Sequence, residues 1–217
     1  MNTRNGILRL RLIAVCGLVM VASTVEANLL TNGSFETASI PAPTGNVPVG
    51  STAITGWIVT RNPIDYVGSE WVPPDGTRSI DLDGSPGAGG IAQSFATVAG
   101  TSYKITFDMA GHPVGPPTIK KLEIQAAGQS ATFTFDVTGH SEPDNMGWAP
   151  RKWVFMATDS LTTLEFFSRD TSTFALYGPV LDNVTASAVP LPATVWLFGT
   201  GLLALASVFR KRRLSIN

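Results

Sequence analysis

Short stretches of alternating apolar and polar residues dominate the central part of the chain and restrict it to a β-rich fold. Residues 102–109 read Ser-Tyr-Lys-Ile-Thr-Phe-Asp-Met, and residues 132–137 read Thr-Phe-Thr-Phe-Asp-Val. A period of two is typical of a strand in an antiparallel sheet with one face buried and the other in solvent. Comparable segments recur roughly every 8–14 residues, separated by Gly, Pro, Asn and Asp.

About eleven strands are therefore predicted between residues 28 and 188, where no convincing amphipathic helix is present. Besides the two segments above, the predicted strands are 29–36, 56–60, 64–68, 78–83, 91–98, 119–126, 152–157, 161–169 and 176–187. The Pro- and Gly-rich segment 40–51 is predicted to be a loop within the domain. Many short strands joined by tight turns indicate a β-sandwich or a β-barrel.

The N-terminal 27 residues have the organisation of a secretory signal peptide. Three arginines precede the apolar run 12–25, and residues 25–27 read Val-Glu-Ala, with small residues at the two positions that signal peptidase reads. The run is too short to span a hydrocarbon layer of about 30 Å, which disfavours an N-terminal membrane anchor. We predict cleavage by signal peptidase after Ala27.

The C-terminal residues have the pattern of a membrane anchor. Residues 193–209 are uncharged, a length at the short limit for a spanning helix, and Arg210, Lys211, Arg212 and Arg213 follow directly. Consecutive basic residues stop transfer across a membrane and stay in the cytoplasm. Residues 28–188 are therefore predicted to lie outside the cytoplasm, and residues 193–209 to span the membrane at least before any processing.

The same C-terminal residues resemble a known sorting signal. Val189, Pro190, Leu191 and Pro192 precede Ala-Thr-Val-Trp-Leu-Phe-Gly-Thr-Gly and the basic cluster, an order similar to that of the PEP-CTERM signal. That signal usually has Glu between the prolines, where this chain has Leu191, and the difference concerns the position of processing. The resemblance implies an exosortase as partner, later removal of the anchor, and a Gram-negative-type bacterium with exopolysaccharide machinery.

A second resemblance covers nearly all of residues 28–187. The Asn-Gly-Ser-Phe-Glu opening at 32–36, Gly56-Trp57 and the closing Asp-Asn-Val at 182–184 resemble galactose-binding-like jelly-roll domains. Residues 64–68, 79–84, 146–148 and 177–179 are similar to the bacterial choice-of-anchor C domain, which looks related to a plant cell-wall domain of unresolved function. The resemblance implies an all-β, antiparallel jelly-roll sandwich at the cell surface or in the extracellular matrix, and it leaves the ligand open.

Composition excludes some functions for the domain. Residues 28–209 carry 8 Lys and Arg against 15 Asp and Glu, so nucleic-acid phosphates would repel the domain. The sole cysteine, Cys16, leaves with the signal peptide, so the exported domain has neither a disulfide nor a cysteine nucleophile. Gly-x-Ser-x-Gly and His-Glu-x-x-His motifs are absent, and no enzyme is predicted.

A carboxylate pair gives the weak hint of catalysis. Asp81 and Asp83 share a predicted strand face, as two glycosidase carboxylates do, but a strand-ending Asp-Gly turn explains them equally well. An EF-hand loop starting at Asp81 fails because its twelfth position is Ala92.

A structural calcium ion is the cofactor that the sequence predicts. Glu36 ends the first predicted strand and Asp182 lies in the last, and related sugar-binding jelly rolls use acidic residues at these motif positions for calcium. Hard oxygen donors from both ends of the domain would close the sandwich without disulfides. The alternative is that both carboxylates accept hydrogen bonds from backbone amides or pair with surface lysines.

Glycan binding is the predicted function, since flat aromatic rings stack on pyranose rings while loop polar groups bind hydroxyls. Trp71 and Trp148 lie in Pro- and Gly-rich loops, and His112 and Asn145 lie in similar loops, so these four residues are predicted to meet at one edge of the sandwich. Trp57 and Trp153 are predicted core residues, and any single loop Trp has packing as its alternative role. Two other functions stay open: a structural or adhesive matrix protein with protein partners, and an unrecognised glycan-active enzyme.

Overall fold

The computed structural model describes residues 27–170 and 176–190. The signal peptide up to residue 26, the spanning segment 193–209 and the basic tail 210–213 lie outside the described residues, whereas Ala27 is described and exposed. The described part contains thirteen strands and no α-helix, and therefore no helix long and apolar enough to cross a membrane.

The strands are short, as the turn residues between them predict. They are β1 (Thr44–Val47), β2 (Ile58–Thr60), β3 (Ile64–Val67), β4 (Ser79–Asp81), β5 (Asp83–Gly84), β6 (Gly87–Ala88), β7 (Gly90–Ala96), β8 (Ser102–Gly111), β9 (Ile119–Ala126), β10 (Gln129–Asp136), β11 (Ala149–Met156), β12 (Leu161–Ser168) and β13 (Pro179–Ala188).

Two antiparallel sheets pack face to face. The six-stranded sheet has the order β1-β3-β4-β13-β8-β11, and the five-stranded sheet has the order β10-β9-β12-β7-β2. A two-residue hairpin, β5-β6, lies outside both sheets. The order mixes strands that are distant in sequence, as in a jelly roll, and the predicted all-β antiparallel sandwich is confirmed.

Alternation along β8 builds much of the core. Tyr103, Ile105, Phe107 and Met109 are buried, whereas the residues between them are only half-buried. The ring of Phe107 packs edge-on against Phe166 of the five-stranded sheet at 5.2 Å between centroids. The period of two in the sequence therefore marks the side chains that join the two sheets.

The opening segment 29–36 was predicted to be a strand, and that prediction is wrong. Asn32 and Phe35 have positive φ angles of 54° and 60°, which a strand does not accommodate. The segment forms turns that pack against β13: the amide of Val184 donates to the carbonyl of Gly33 at 2.8 Å, and a Cβ on Gly33 would lie 1.9 Å from the carbonyl oxygen of Val184. The glycine of the Asn-Gly sequence therefore allows the backbone of this segment to approach the backbone of β13 closely, without pairing as a strand.

Two other predicted segments differ in detail. The predicted loop 40–51 contains β1, which pairs with β3 across a register shift. The predicted strand 78–83 divides into β4 and β5, and the amide of Asp83 there bonds the side chain of Asp81 at 2.9 Å.

The sandwich has two distinct ends. β8 and β13 run antiparallel, with Gly111 opposite Pro179 and Tyr103 opposite Ala188, and strands of this length extend over about 30 Å at roughly 3.3 Å per residue. We call the end at Gly111 the loop end; it comprises residues 71–72, 112–118, 137–148 and 176–178. The opposite end, where the chain leaves β13, is the exit end; it comprises residues 97–101, 127–128, 157–160 and 189–190.

Candidate functional site

Aromatic rings from three separate segments meet at the loop end. The ring of His112 contacts Trp71 at 5.4 Å and Tyr177 at 4.7 Å between centroids, both with edge-on geometry. His112 and Tyr177 are half-buried, so parts of both rings reach the surface. Edge-on packing is a favourable arrangement for aromatic quadrupoles and holds the three segments together.

The two loops that carry the tryptophans are bonded to each other. The indole N–H of Trp148 donates to the carbonyl of Val72 at 2.9 Å, and the amide of Val72 donates to the carbonyl of Pro143 at 3.1 Å. Trp148 is half-buried and packs against the core with one part of its ring. The structure thus brings Trp148 beside the segment that contains Trp71 and, through it, His112.

Trp71 itself is buried. Only 5% of its surface is exposed, and its indole N–H donates to the hydroxyl of Ser79 at 2.9 Å. A ring with so little exposed face offers almost no surface to a ligand. What it does at the loop end is support His112.

Asn145 lies on the rim of the loop end. Its side-chain amide donates to the carbonyl of Gly139 at 3.1 Å, and its backbone amide donates to Glu142 at 2.9 Å. Both hydrogen bonds close its own loop, and the residue is exposed.

The imidazole of His112 is uncharged at neutral pH. Burial lowers its pKa from 6.5 to about 4, and the nearby ammonium of Lys120 also lowers it, while a backbone hydrogen bond with Val114 acts in the opposite direction. The amide of Val114 donates to Nδ1 at 3.3 Å. A neutral imidazole keeps one N–H donor and one acceptor, a combination suited to hydroxyl groups.

A buried lysine ties two parts of the loop end together. Lys120 has no exposed surface, and its ammonium donates to the carbonyl of Gly115 at 3.1 Å and to the carbonyl of Tyr177. Gly115 has a φ of +75°, and a Cβ there would lie 2.0 Å from the ring of Tyr177. The loop after β8 therefore rests directly on Tyr177, and Lys120 fixes this contact from inside.

Three carboxylates are buried beneath the loop end. Asp81 accepts hydrogen bonds from the amides of Asp83 and Gly178 at 2.9 and 3.0 Å. Among the described residues, no group makes a hydrogen bond of good geometry to either oxygen of Asp83 or to Oδ2 of Asp170, although the Ser168 hydroxyl lowers the pKa of Asp83. Burial is the main cause that raises the pKa of Asp83 and that of Asp170 from 3.8 to about 6. Because Asp81 and Asp83 are 1% and 0% exposed, a substrate cannot reach them as it would a surface glycosidase pair.

The two predicted calcium ligands approach the same segment. The carboxylate of Glu36 accepts hydrogen bonds from the amides of Thr77 and Arg78, both at 2.7 Å. The carboxylate of Asp182 is buried and accepts hydrogen bonds from the amides of Asp75 at 3.2 Å and Asn183 at 2.6 Å. Both carboxylates thus accept hydrogen bonds from backbone amides, which is the arrangement that the sequence analysis gave as the alternative to a calcium site.

Two acidic neighbours, Asp75 and Glu36, lie close enough to Asp182 to affect its titration. Burial is the largest cause that raises the pKa of Asp182 to about 8; the charges of Asp75 and Glu36 act in the same direction, and hydrogen bonds from the amides of Asn183 and Asp75 oppose them. Within residues 27–170 and 176–190, however, no group of three or more His, Cys, Asp or Glu side chains has an arrangement that would hold a metal ion. Calcium binding stays a prediction.

The outer face of the five-stranded sheet offers a different kind of site. It holds two shallow depressions of about 400 and 630 Å³, which adjoin along β12. Glu165 between them accepts hydrogen bonds from Arg61, Thr60 and Gln125. Arg61 also lies 3.4 Å from the ring centroid of Phe167 and covers the ring, so this face presents polar groups and no free aromatic surface.

Comparison with known families shows to which family the domain belongs. Residues 28–187 match the profile of the family described as protein of unknown function DUF642. The chain belongs to the DUF642 family. Residues 188–213 match the PEP-CTERM protein-sorting motif, as the residues around Pro190 and the basic cluster predicted. The choice-of-anchor C name stays a resemblance.

One curated protein is similar in sequence to the DUF642 chain. Halomucin from Haloquadratum walsbyi is 33% identical over 182 residues, which cover 80% of this chain. The match spans only 2% of the length of Halomucin, so this chain corresponds to a small part of that protein.

Solved structures share the fold of the DUF642 domain. The carbohydrate-binding module TmCBM61, solved with β-1,4-galactotriose, has a TM-score of 0.50 at 14% identity, covering 75% of this chain and 99% of its own. An arabinose-bound α-L-arabinofuranosidase, MgGH51, has a TM-score of 0.53 at 15% identity, covering 76% of this chain and 27% of its own. At these identities the likeness shows the jelly-roll fold alone.

Sequence reasoning missed Lys120 and left Tyr177 outside the predicted site of the DUF642 domain. A signal for Lys120 is present: Leu122, Ile124 and Ala126 of β9 are buried, and the period of two places Lys120 on the same face. A lysine on the buried face of a strand needs partners inside the protein. Its carbonyl partners come from distant loops, which no local pattern identifies.

Proposed function

We propose that the DUF642 domain of this chain is a non-catalytic module that binds a polysaccharide at its loop end. The observation that carries the proposal is the convergence of Trp148, His112 and Tyr177 there, each half-buried and each held by packing or hydrogen bonds. Rings that are already fixed lose little conformational entropy on binding. The PEP-CTERM motif supports export and sorting to the cell surface, where a polysaccharide ligand is available.

Each residue has a separate role in the proposed site. Trp148 supplies an aromatic face for the apolar side of a pyranose, and the neutral imidazole of His112 bonds hydroxyls. Asn145 supplies an exposed amide at the rim. Trp71 supports His112 from below and does not itself stack on the sugar.

The proposal extends to the partners and location of the chain. We place the protein in the envelope or extracellular matrix of a Gram-negative-type bacterium, with exosortase acting on its C-terminal signal and exopolysaccharide as its ligand. The buried state of Asp81 and Asp83 supports a binding role without catalysis. The structural or adhesive protein remains the alternative, and it differs by having no glycan affinity.

A pair of matched substitutions tests the site. Trp148→Ala should weaken binding to a retained polysaccharide by about 1–3 kcal/mol, by analogy with the stacking of bases on aromatic rings. Trp153→Ala is the control, since Trp153 stacks on Phe155 of the same edge strand with centroids 5.4 Å apart and lies outside the loop end. A panel that includes bacterial exopolysaccharides and β-1,4-galactotriose supplies the ligand, and affinity electrophoresis measures retention.

The outcomes separate the alternatives. Loss of retention in Trp148→Ala with retention kept in Trp153→Ala supports the loop end. The opposite pattern would move the site to β11, the edge strand of the six-stranded sheet. Loss in Gln125→Ala alone would move it to the five-stranded sheet, where Gln125 bonds Glu165 at 2.6 Å. No retention of any member by the wild-type chain would favour the structural or adhesive protein.

A further inference from the structure

Exposed apolar side chains gather at the exit end of the sandwich. Val98 is 64% exposed, Met156 52%, Leu161 63% and Val189 37%. We refer to these four residues as the exit patch. Single exposed hydrophobic residues are normal on protein surfaces, whereas a group of them on neighbouring segments marks an interaction surface.

Hydrogen bonds hold the segments of the exit patch together. The amide of Thr97 donates to the carbonyl of Ser160 at 2.9 Å, which joins the loop of Val98 to the loop before Leu161. Met156 pairs with Ser102 at the first position of β8, and the amide of Val189 donates to the carbonyl of Ser102 at 2.8 Å. The four side chains are therefore carried by adjoining segments at one end of the sandwich.

The chain leaves the sandwich from this patch toward its predicted membrane anchor. Val189 is still bonded to β8, and the predicted span begins at residue 193. Four residues extend over at most about 14 Å at about 3.6 Å each. The exit end consequently cannot lie far from the bilayer surface while the anchor is in place.

The two ends of the sandwich also differ in charge, and the difference favours the exit end as the one nearer the membrane. The exit-end loops 97–101, 127–128 and 157–160 contain a single charged residue, Asp159. At and beside the loop end, residues 70–77, 112–118 and 137–148 contain four acidic residues and no Lys or Arg. Exposed apolar side chains occur at both ends, since Val72, Val114 and Leu176 are exposed at the loop end. Charge is what differs, because an anionic bilayer surface would repel the acidic loop end more than the nearly uncharged exit end.

We propose that the exit patch contacts the lipid bilayer while the C-terminal anchor is present, so that the sandwich stands on the membrane with its loop end directed outward. The occupant is the interfacial layer of the membrane in which the chain itself is anchored. The loop end then lies about 30 Å from the lipid, one strand length away. The inference is independent of whether the loop end binds a glycan.

Two valines of equal exposure make a matched pair of reporters. Val98 in the exit patch and Val72 at the loop end are both 64% exposed. With Cys16→Ser removing the sole cysteine, Val98→Cys and Val72→Cys each give the full chain one site for an environment-sensitive fluorophore. The labelled chains are inserted into vesicles of phosphatidylethanolamine and phosphatidylglycerol that contain nitroxide-labelled lipid.

We expect quenching at position 98 to exceed quenching at position 72 at least threefold. Equal quenching at both positions, or none at position 98, overturns the orientation. The fluorophore at position 98 could instead be shielded from water without being quenched, and lose that shielding when the protein is diluted within the vesicles. That result would show contact between the patch and a second copy of the chain, and it also overturns the proposal.

A second experiment separates contact by the patch from mere tethering. The reporter is placed at Ser160, an exposed loop residue, and Val98→Asp with Leu161→Asp is compared with Val72→Asp. We expect the double substitution to reduce quenching at least twofold, with the control and the melting temperature unchanged. Unchanged quenching in the double variant would show that the tether alone sets the position, and a lowered melting temperature is resolved by repeating the comparison with Leu161→Asp alone.

Discussion

The tryptophans show how similar local sequences produce different environments. Trp57 was predicted to be a core residue, and it is 2% exposed with its indole bonded to the carbonyl of Asn32. Trp71 and Trp148 both lie between Pro and Gly, yet one is buried and the other half-buried. The difference arises because the segment after residue 70 folds back over Ser79 and His112, contacts that are far from local in the sequence.

Buried carboxylates make the stability of the domain depend on pH. Asp83 has a pKa of about 6 against 3.8 in an accessible carboxyl, chiefly through burial; the Ser168 hydroxyl and Lys120 lower it, and Asp170 and Asp65 raise it. The folded state thus keeps a proton that the unfolded state has lost, and its contribution to stability is complete below pH 3.8 and lost as the pH rises through about 6. A shift of about two pH units corresponds to about 3 kcal/mol.

Asp83→Asn should therefore flatten the pH profile of the melting temperature. We expect the variant to be no more stable than the wild type near pH 4 and more stable at pH 8, because the wild type must then keep a charged carboxylate buried. Asp159→Asn, in an exposed loop, is the control and should leave the profile unchanged. Parallel profiles for the wild type and Asp83→Asn between pH 4 and 8 would contradict the prediction.

Calcium binding at Glu36 and Asp182 is tested by chelation. If an ion occupies this place, a chelator should lower the melting temperature, and the response should vanish in Asp182→Asn and in Glu36→Gln. Extracellular calcium modules bind with dissociation constants of about 10⁻⁴–10⁻³ M, and at 100 times that constant the ion adds about 2.7 kcal/mol. Glu123→Gln on the five-stranded sheet is the control, and identical melting curves with and without chelator would remove calcium from the account.

At the level of elements, the period of two was sufficient to predict a strand where one face of the strand is buried and the other is exposed. It predicted residues 102–109, which lie in β8, and 132–137, all but the last of which lie in β10. The predicted strands 119–126 and 161–169 correspond closely to β9 and β12. It failed at residues 29–36, because left-handed φ angles at Asn32 and Phe35 depend on packing against β13 and not on local propensity. Resemblance, and not periodicity, supplied the distinction between a sandwich and a barrel.

Lys120 links an element to the site that it supports. Lys120→Met removes the donor of two buried carbonyls, those of Gly115 and Tyr177, and should lower the free energy of unfolding by about 2–4 kcal/mol. We also expect weaker glycan binding, since the contact between the loop after β8 and Tyr177 loosens. Differential scanning calorimetry and affinity electrophoresis measure the two effects.

The neighbouring lysine provides the control for that substitution. Lys121 lies on the same strand with its side chain on the opposite, exposed face. Lys121→Met should change both quantities little. If Lys120→Met were as stable as Lys121→Met and bound glycan equally well, the buried ammonium would have no role in holding the loop end.

For the whole molecule, the sequence predicted the C-terminal sorting motif and the fold class better than the arrangement of the site. Signals such as the PEP-CTERM motif are read from contiguous residues, and residues 188–213 match it. The loop end instead depends on which strand ends coincide in the sandwich, a consequence of the strand order and of pairing between β8 and β13. The aromatic rings of the loop end lie at one end of these two strands, and the chain leaves the sandwich at the other end.

The indole N–H signals of the tryptophans provide the most direct test of glycan binding at the loop end. The chain has five tryptophans, four of them in residues 28–188, and each gives its own signal in a nitrogen–proton correlation spectrum of that domain. Addition of a retained polysaccharide fragment should shift the signal of Trp148, and to a lesser extent that of Trp71, while those of Trp57 and Trp153 stay in place. Shifts of Trp153 or Trp57 with an unmoved Trp148 signal would contradict the account.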